Sequence, residues 1–341
     1  MQLIIRLSMG FRNRYISEYS WAENIYLDLR PADAYRAGHI PGSLSLPLFG
    51  QEEIRIVLSK RKKIAELESL QLHFRKWLDE LNLLGPFTKA LILVCADGGH
   101  RSQFAWDTLK SKQEVYILKG GYRSYRRGVR EALTRRYPFM ILAGKTGSGK
   151  TAMLRRLKES GEQVLDIEML AGSSGSVFGL IGTKGLQPTQ EQFENNLAEA
   201  LQKTDSGKWI FAEQELNYIG KCQIPDTLMQ QFASAPRILL NIPFSQRVKL
   251  LTDTYAGVDD EALIKGISSL QARMGKDQSE ALAEMVRRKE YPEVAAGLLE
   301  YYDNADSYRT VLRDHDLVAN GEDLNSLYDA ILKAQKKRLL K

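Results

Sequence analysis

The chain has 341 residues, with 48 lysines and arginines against 42 aspartates and glutamates, 43% apolar residues and two cysteines. That composition excludes a disulfide-stapled scaffold and a disordered chain, and at about 100–200 residues per domain it predicts two domains, each able to bury its own core. Residues 1–137 hold 23 basic and 14 acidic side chains whereas residues 138–341 hold 25 and 28, so a polyanionic partner is expected on the N-terminal part, with a merely solvated basic surface as the alternative.

The opening Met1–Phe11 has a short apolar patch broken by Arg6, without the apolar core or small-residue cleavage site of a secretory signal. No stretch approaches the roughly 18 uninterrupted apolar residues of a membrane helix. A cytoplasmic location, no membrane partner and reduced Cys95 and Cys222 are therefore expected.

Short apolar runs bounded by glycine, proline and aspartate follow: Ile25–Asp28, Ser43–Leu46, Ala90–Val94 and Val115–Leu118, with a long amphipathic run at Ala65–Leu84. They read as buried parallel strands alternating with helices, hence a small α/β domain over residues 1–137.

Cys95 directly follows the strand Ala90–Val94 and opens a loop containing Gly98, Gly99, Arg101 and Ser102, after which Gln103–Leu109 reads as a helix. A thiol at a strand end, over a glycine-containing loop and facing a helix N-terminus and Arg101, is arranged to be a nucleophile. The same concavity suits a tetrahedral anion or a persulfide, so sulfur-group transfer and phosphate-ester chemistry both stay open. Cys222 has no convergent arginine or glycine loop and reads as structural. Four histidines without ligand spacing predict no metal site.

Lys119–Arg136 carries seven basic residues and one acid in 18, with Tyr122 and Tyr125 interleaved. Lys119, Arg123, Arg126, Arg127 and Arg130 would neutralise phosphates and Tyr122 would stack on an unpaired base, which points to folded RNA. A solvated basic helix joining two domains is the alternative.

A second α/β unit begins near Tyr137-Pro138 and fills residues 138–341. Its predicted strands are Phe139–Ala143, Gln163–Asp166, Trp209–Ala212 and Arg237–Asn241, and from Asp259 the pattern is helical to a basic end at Lys336–Arg338 and Lys341. Between the first strand and an amphipathic helix, Gly144-Lys145-Thr146-Gly147-Ser148-Gly149-Lys150-Thr151 fits the phosphate-loop pattern. Its glycines let backbone N–H groups surround phosphate oxygens, Lys150 adds a point charge, and the Thr151 hydroxyl is suited to hold Mg²⁺. Kinase, nucleotide hydrolase and diphosphate-substrate transferase all fit such a loop. Glu213 and Asp166 end strands as metal-supporting carboxylates do, and helix capping or surface pairing fits them equally.

Asp28-Leu29-Arg30, Gly38–Ser43, the Cys95 loop and Lys119–Arg123 resemble a rhodanese domain. With the phosphate loop in the same chain, the order is similar to the bacterial tRNA 2-selenouridine synthases. The likeness continues through Gln163–Glu168, Gly175–Gly179, Gln187–Glu194, Ile219-Gly220 and Leu298–Asp303. It implies a rhodanese-like parallel-sheet domain followed by a P-loop α/β domain with a helical C-terminal part. It also implies replacement of the sulfur of wobble 2-thiouridine in tRNA by selenium, through an S-geranylated nucleotide, with selenophosphate and geranyl diphosphate as substrates and no tightly bound cofactor. By matching position Cys95 is the nucleophile, Gly98, Gly99 and Arg101 belong to its anion loop, and Gly144–Thr151 is the diphosphate site.

Three places depart from that family's pattern. Asp97 stands where the cysteine loop has an arginine, Ser173-Ser174 where a His-Arg pair is usual, and Leu216-Asn217 where an acidic run ends in Ser-Arg. The departures keep two alternatives in view: a tRNA-binding relative with weakened catalysis, and a rhodanese-like phosphatase.

Overall fold

The computed structural model describes residues 15–16, 24–50, 53, 68–84, 86–173, 187–304 and 317–339. Met1–Phe11, the start of the expected amphipathic run at Ala65, Ser174, Gly175–Gly179 and Lys341 lie outside the described residues. The described chain divides into two compact units, one reaching Ala132 and including Glu194–Glu199, the other holding the remainder.

In the first unit β1 (Tyr15–Ile16), β2 (Asn24–Asp28), β3 (Leu44–Ser45), β4 (Ala90–Val94) and β5 (Val115–Leu118) form a parallel sheet in the order β1-β5-β4-β2-β3. Between them run α1 (Ala32–Ala37), α2 (Glu68–Leu83) and α3 (His100–Leu109), and α4 (Gly121–Thr134) follows β5. Strand β4 is buried from Leu91 to Val94 because it lies between β2 and β5. Trp77 of α2 caps one side of this core and donates its indole N–H to the Leu46 carbonyl at 3.1 Å. Chain order reverses direction between β2 and β4, and the carboxyl ends at such a reversal are where open α/β sheets bind ligands. Cys95 is the first residue beyond β4.

The second unit repeats the grammar with β6 (Phe139–Ala143), β7 (Gln163–Leu165), β8 (Ile210–Glu213), β11 (Arg237–Asn241) and β12 (Leu317–Asn320), in the order β12-β11-β6-β8-β7. Helix α5 (Lys150–Glu159) packs Met153, Leu154 and Leu157 on the sheet. The order reverses at β6, whose carboxyl end carries the glycine loop. A short helix α6 (Ile167–Leu170), α7 (Gln190–Gln202), the hairpin β9 (Tyr218–Ile219)–β10 (Cys222–Gln223) and α8 (Asp226–Ser234) complete the sheet region.

Helices α9 (Phe244–Tyr255), α10 (Asp260–Ser269), α11 (Gln271–Met274), α12 (Lys276–Arg287) and α13 (Tyr291–Asn304) form a helical part around Leu263, Ile267, Leu282, Val286, Val294 and Leu298. The expectation of helix alone beyond Asp259 is corrected by β12, which pairs in parallel with β11 from Leu317↔Ile238 to Asn320↔Asn241 before α14 (Leu324–Leu339). An edge strand of four residues between helical stretches is too short to show a periodicity of its own.

Candidate functional sites at two strand ends

The loop after β4 is held by the turn that starts α4. The Cys95 and Ala96 carbonyls accept the N–H groups of Tyr122 and Arg123 at 2.8 and 3.0 Å. Gly121, at φ +56°, lies so close to this loop that a Cβ would overlap the Cys95 carbonyl oxygen, and Gly98, at φ +76°, would bring one to 2.9 Å from the Leu118 carbonyl. Glycine at both positions lets two turns interlock. Cys95 is 3% exposed, with its sulfur 3.9 Å from an Asp97 carboxylate oxygen.

Asp97 changes the chemistry of the loop. Its carboxylate accepts the Gly99 N–H at 3.0 Å, so one amide expected to face an anion is already satisfied inside the protein. Helix α3 begins at His100, earlier than the predicted Gln103, which places Arg101 and Ser102 in its first turn. Burial pushes the Arg101 guanidinium below its usual range, against the opposing pull of Cys95 and Asp97. Its Nε is enclosed without a hydrogen-bond partner. Ser102 is fully buried with its hydroxyl also unpaired, so it does not lie at the surface of the anion loop as expected.

The basic segment forms α4, and its two faces part sharply. Tyr122, Tyr125, Val129, Ala132 and Leu133 are buried, while Lys119, Arg123, Arg127 and Arg130 are exposed. The base-stacking role expected of Tyr122 is thus corrected. Its ring lies under the Arg30 guanidinium, 3.5 Å from the ring centroid, and its hydroxyl accepts from Asn195 at 2.9 Å. Arg30 itself is locked by Asp28 at 2.7 Å and by the Gly38 carbonyl. Arg126 is corrected too, since it is committed to Glu194 and, at 2.6 Å, to Asn195. The outward face offers three arginines one and two turns apart. If this face takes RNA as the sequence predicts, replacing Arg123, Arg127 and Arg130 together by alanine should weaken RNA binding uniformly and flatten the dependence of log K on log salt by about 2 to 3, read by filter binding across a salt series. An unchanged slope would remove α4 from the RNA surface.

At the end of β6 the glycine loop turns into α5 through Gly147 (φ +74°) and Gly149 (φ +81°). Lys150 crosses the loop and donates to the Gly144 carbonyl at 3.0 Å, with its Nζ 3.5 Å from the Glu213 carboxylate. Thr151 donates its hydroxyl proton to Glu213 at 3.1 Å. Ser148 is 1% exposed and its hydroxyl has no partner. The predicted residues Gly144, Thr146, Gly147, Ser148, Gly149, Lys150 and Thr151 therefore surround one strand-to-helix turn. Of the two carboxylates weighed from sequence, Glu213 faces this turn from the adjacent strand, whereas Asp166 caps α6 by accepting the Met169 N–H at 2.9 Å.

Glu168, Glu215, Arg247 and Asp303 also meet here, and sequence reasoning assigned none of them to the site. Carboxylate oxygens of Glu168, Glu213 and Glu215 lie within 4.8 Å of one another. Burial, reinforced by Glu213 and Asp166, pushes Glu168 up to about 7. Burial, reinforced by Glu168 and Glu213, pushes Glu215 up to about 9. Glu168 and Glu215 also hydrogen-bond to each other, so at neutral pH the pair holds a proton. On the other side of the loop, Arg247 donates to the Thr146 carbonyl and to Asp303, which also accepts from Lys145.

Both raised glutamates keep protons in the folded chain that the unfolded chain, with an ordinary value of 4.5, releases. Stability should accordingly fall as pH rises from about 5 towards 9, by at most about 1.4 kcal/mol per pH unit for each retained proton. Glu215→Gln should flatten that slope in urea titrations, and a slope identical to the unaltered chain would show that the carboxyls are not proton-linked.

Cys222 sits buried in the β9–β10 hairpin, its sulfur 3.6 Å from the Pro188 carbonyl, and burial pushes its thiol upward. Among the described residues no helix is long and apolar enough to cross a membrane.

Comparison with known proteins bears on both strand ends. Residues 137–337 match the family model described as the tRNA 2-selenouridine synthase AAA domain, and residues 14–127 match the rhodanese-like domain. A protein of Sulfurovum sp. (strain NBC37-1) named tRNA 2-selenouridine synthase is 31% identical over 247 residues, covering 67% of this chain and 65% of its own. One of the same name from Nitrosomonas europaea is 28% identical over 253 residues, covering 69% and 64%. Another from Pseudomonas putida is 28% identical over 327 residues, covering 83% and 87%. The chain thus spans slightly under two thirds of the length of the first two relatives.

Proposed function

Because the chain belongs to the tRNA 2-selenouridine synthase family, matched over residues 137–337, we propose that it is a tRNA-modifying transferase that replaces the sulfur of wobble 2-thiouridine with selenium by way of an S-geranylated nucleotide. The observation that carries this reading is a glycine loop for phosphates and a cysteine loop for a thiol nucleophile in one chain, each at the chain reversal of its own parallel sheet.

In the geranylation step the thiouridine sulfur forms a bond to the first geranyl carbon as that carbon's bond to the diphosphate oxygen breaks. The leaving diphosphate gathers negative charge, and the chain's own groups for it are the N–H groups of Gly147–Lys150, the Lys150 ammonium and the N-terminus of α5. Thr151 and Glu213 are oxygen donors of the kind Mg²⁺ takes, and the ion would offset further diphosphate charge. For the selenium step the Cys95 thiolate attacks the phosphorus of selenophosphate held by Gly98, Gly99 and Arg101, forming an S–P bond as the P–Se bond breaks. The released selenide adds to C2 of the S-geranylated base, geranylthiol leaves, and water hydrolyses the phosphocysteine, with no change of oxidation state. The tRNA lies against Lys119, Arg123, Arg127 and Arg130, and the setting is the cytoplasm.

One observation favours a second reading. Asp97 adds a negative charge beside the thiol and takes up the Gly99 N–H, which weakens the cysteine loop as an anion site. A tRNA-binding relative that carries out only the geranyl step fits that feature.

The test is nucleoside mass spectrometry of 2-thiouridine-containing tRNA incubated with the protein, geranyl diphosphate and selenophosphate, omitting each substrate in turn. Selenouridine formed only with both substrates supports the full reaction. A geranylated nucleoside alone supports the second reading, and no product with tRNA still bound removes both transfer activities.

A further inference from the structure

Lys145, the second residue of the glycine loop, is a cation that the loop pattern does not require. Its ammonium lies 2.9 Å from Asp303 Oδ2, at the end of α13. That carboxylate is already matched by another cation: Arg247 of α9 reaches Asp303 Oδ1 at 2.9 Å and Oδ2 at 2.6 Å through its two terminal nitrogens. Burial pushes the Asp303 carboxyl up, but the hydrogen bonds and charges of Arg247 and Lys145 outweigh it and hold the group below the usual carboxylate range. Two cations on one carboxylate leave a surplus positive charge beside the loop.

The two cations are held very differently. The Arg247 side chain is 5% exposed and forms a rigid two-pronged pair, whereas the Lys145 side chain is 42% exposed and, among the described residues, makes a single ion-pair contact. A lysine ammonium that is 42% exposed is open to salt screening even when its carboxylate partner is largely enclosed, so a multiply charged anion competes for it. The backbone on either side of Lys145 is pinned, because Lys150 donates to the Gly144 carbonyl and Arg247 donates to the Thr146 carbonyl at 3.2 Å. Gly147 is seated against the same helical part, where a Cβ would come within 3.2 Å of Leu251 and 3.3 Å of Leu299. The loop backbone is therefore held independently of the Lys145 side chain. Arg247 also keeps a buried Nε without a partner, a polar group left over at the point where loop and helices meet.

We propose that Lys145 is a second anion-binding cation of the diphosphate site, exchanging between Asp303 and the ligand, and that Arg247 is the positioning residue that holds Asp303 and the Thr146 carbonyl in place. This rests on the diphosphate reading of the glycine loop and adds to it which cations share the two phosphates: Lys150 on one side and Lys145 on the other.

The experiment is calorimetric titration of the full chain with inorganic pyrophosphate at several salt concentrations, alongside thermal unfolding. Lys145→Met is expected to bind pyrophosphate about tenfold more weakly, with less salt sensitivity and an unchanged Tm, because the lysine side chain is 42% exposed and, among the described residues, pairs with Asp303 alone. Asp303→Asn, which keeps an acceptor for Arg247 but removes the competing charge, is expected to bind at least as tightly as the unaltered chain. Unchanged affinity in Lys145→Met, or a tenfold loss in an Asp303→Asn chain of unaltered Tm, would overturn the proposal. Should Lys150→Met lose pyrophosphate while Lys145→Met does not, the role of Lys145 fails and the diphosphate site stands. If the unaltered chain binds no pyrophosphate, both fail together.

Discussion

A Cys95→Ala chain is expected to lose selenium incorporation by at least about 10³-fold while still binding tRNA and still forming the geranylated nucleoside. The size follows from removing the reacting atom itself, since loss of a nucleophile leaves only the residual effect of binding. The selectivity follows from placement. Cys95 lies at the end of β4, in a compact unit separate from the glycine loop at the end of β6. Mass spectrometry of the nucleosides separates the two steps, and selenouridine formed at the unaltered rate would end the nucleophile role. Asp97→Arg is the complementary variant. It removes an anion beside the thiol, releases the Gly99 N–H and restores a cation, so selenium incorporation should rise, whereas a simple structural role for the Asp97–Gly99 bond would make the rate fall.

The second large effect concerns Lys150. Lys150→Met should lower geranylation by about 10²- to 10³-fold, the cost of losing one charge that is aimed at a developing oxyanion in a shielded site. Folding should survive, because the methionine stem fills the space of the lysine stem and Glu213 keeps the Thr151 hydroxyl as a donor. Selenium incorporation into tRNA that has been geranylated beforehand should be unaffected, since the cysteine loop is intact. Loss of both steps together would place Lys150 in a shared structural role and sink its assignment to the leaving group.

Part of the tertiary outcome at α4 is legible in the sequence. Tyr122, Tyr125, Val129 and Ala132 recur at helical spacing, an apolar stripe that foretells burial. The high density of arginine between them drew the reading towards RNA, and composition cannot tell which side of a helix an aromatic residue takes. Arg126 looked like its neighbours Arg127 and Arg130 until the fold brought Glu194 and Asn195 to it. Cys222 reads as structural because no arginine or glycine loop converges on it, and it is buried in the β9–β10 hairpin.

From the sequence alone came the two α/β units, the strand before each glycine loop, and the placement of Cys95, Lys150 and Thr151 at strand-to-helix turns. Those features are local: apolar runs, glycines where the backbone must turn left-handed, and a helix that begins directly afterwards. Only the tertiary structure decided that Glu168, Glu213 and Glu215 converge, that Asp97 spends its charge on Gly99, and that Arg247 and Asp303 clamp the loop from helices far along the chain. The reason is physical: periodicity tells which side chains share a face, but only packing decides what that face meets, and the energy of a charged group depends on its neighbours.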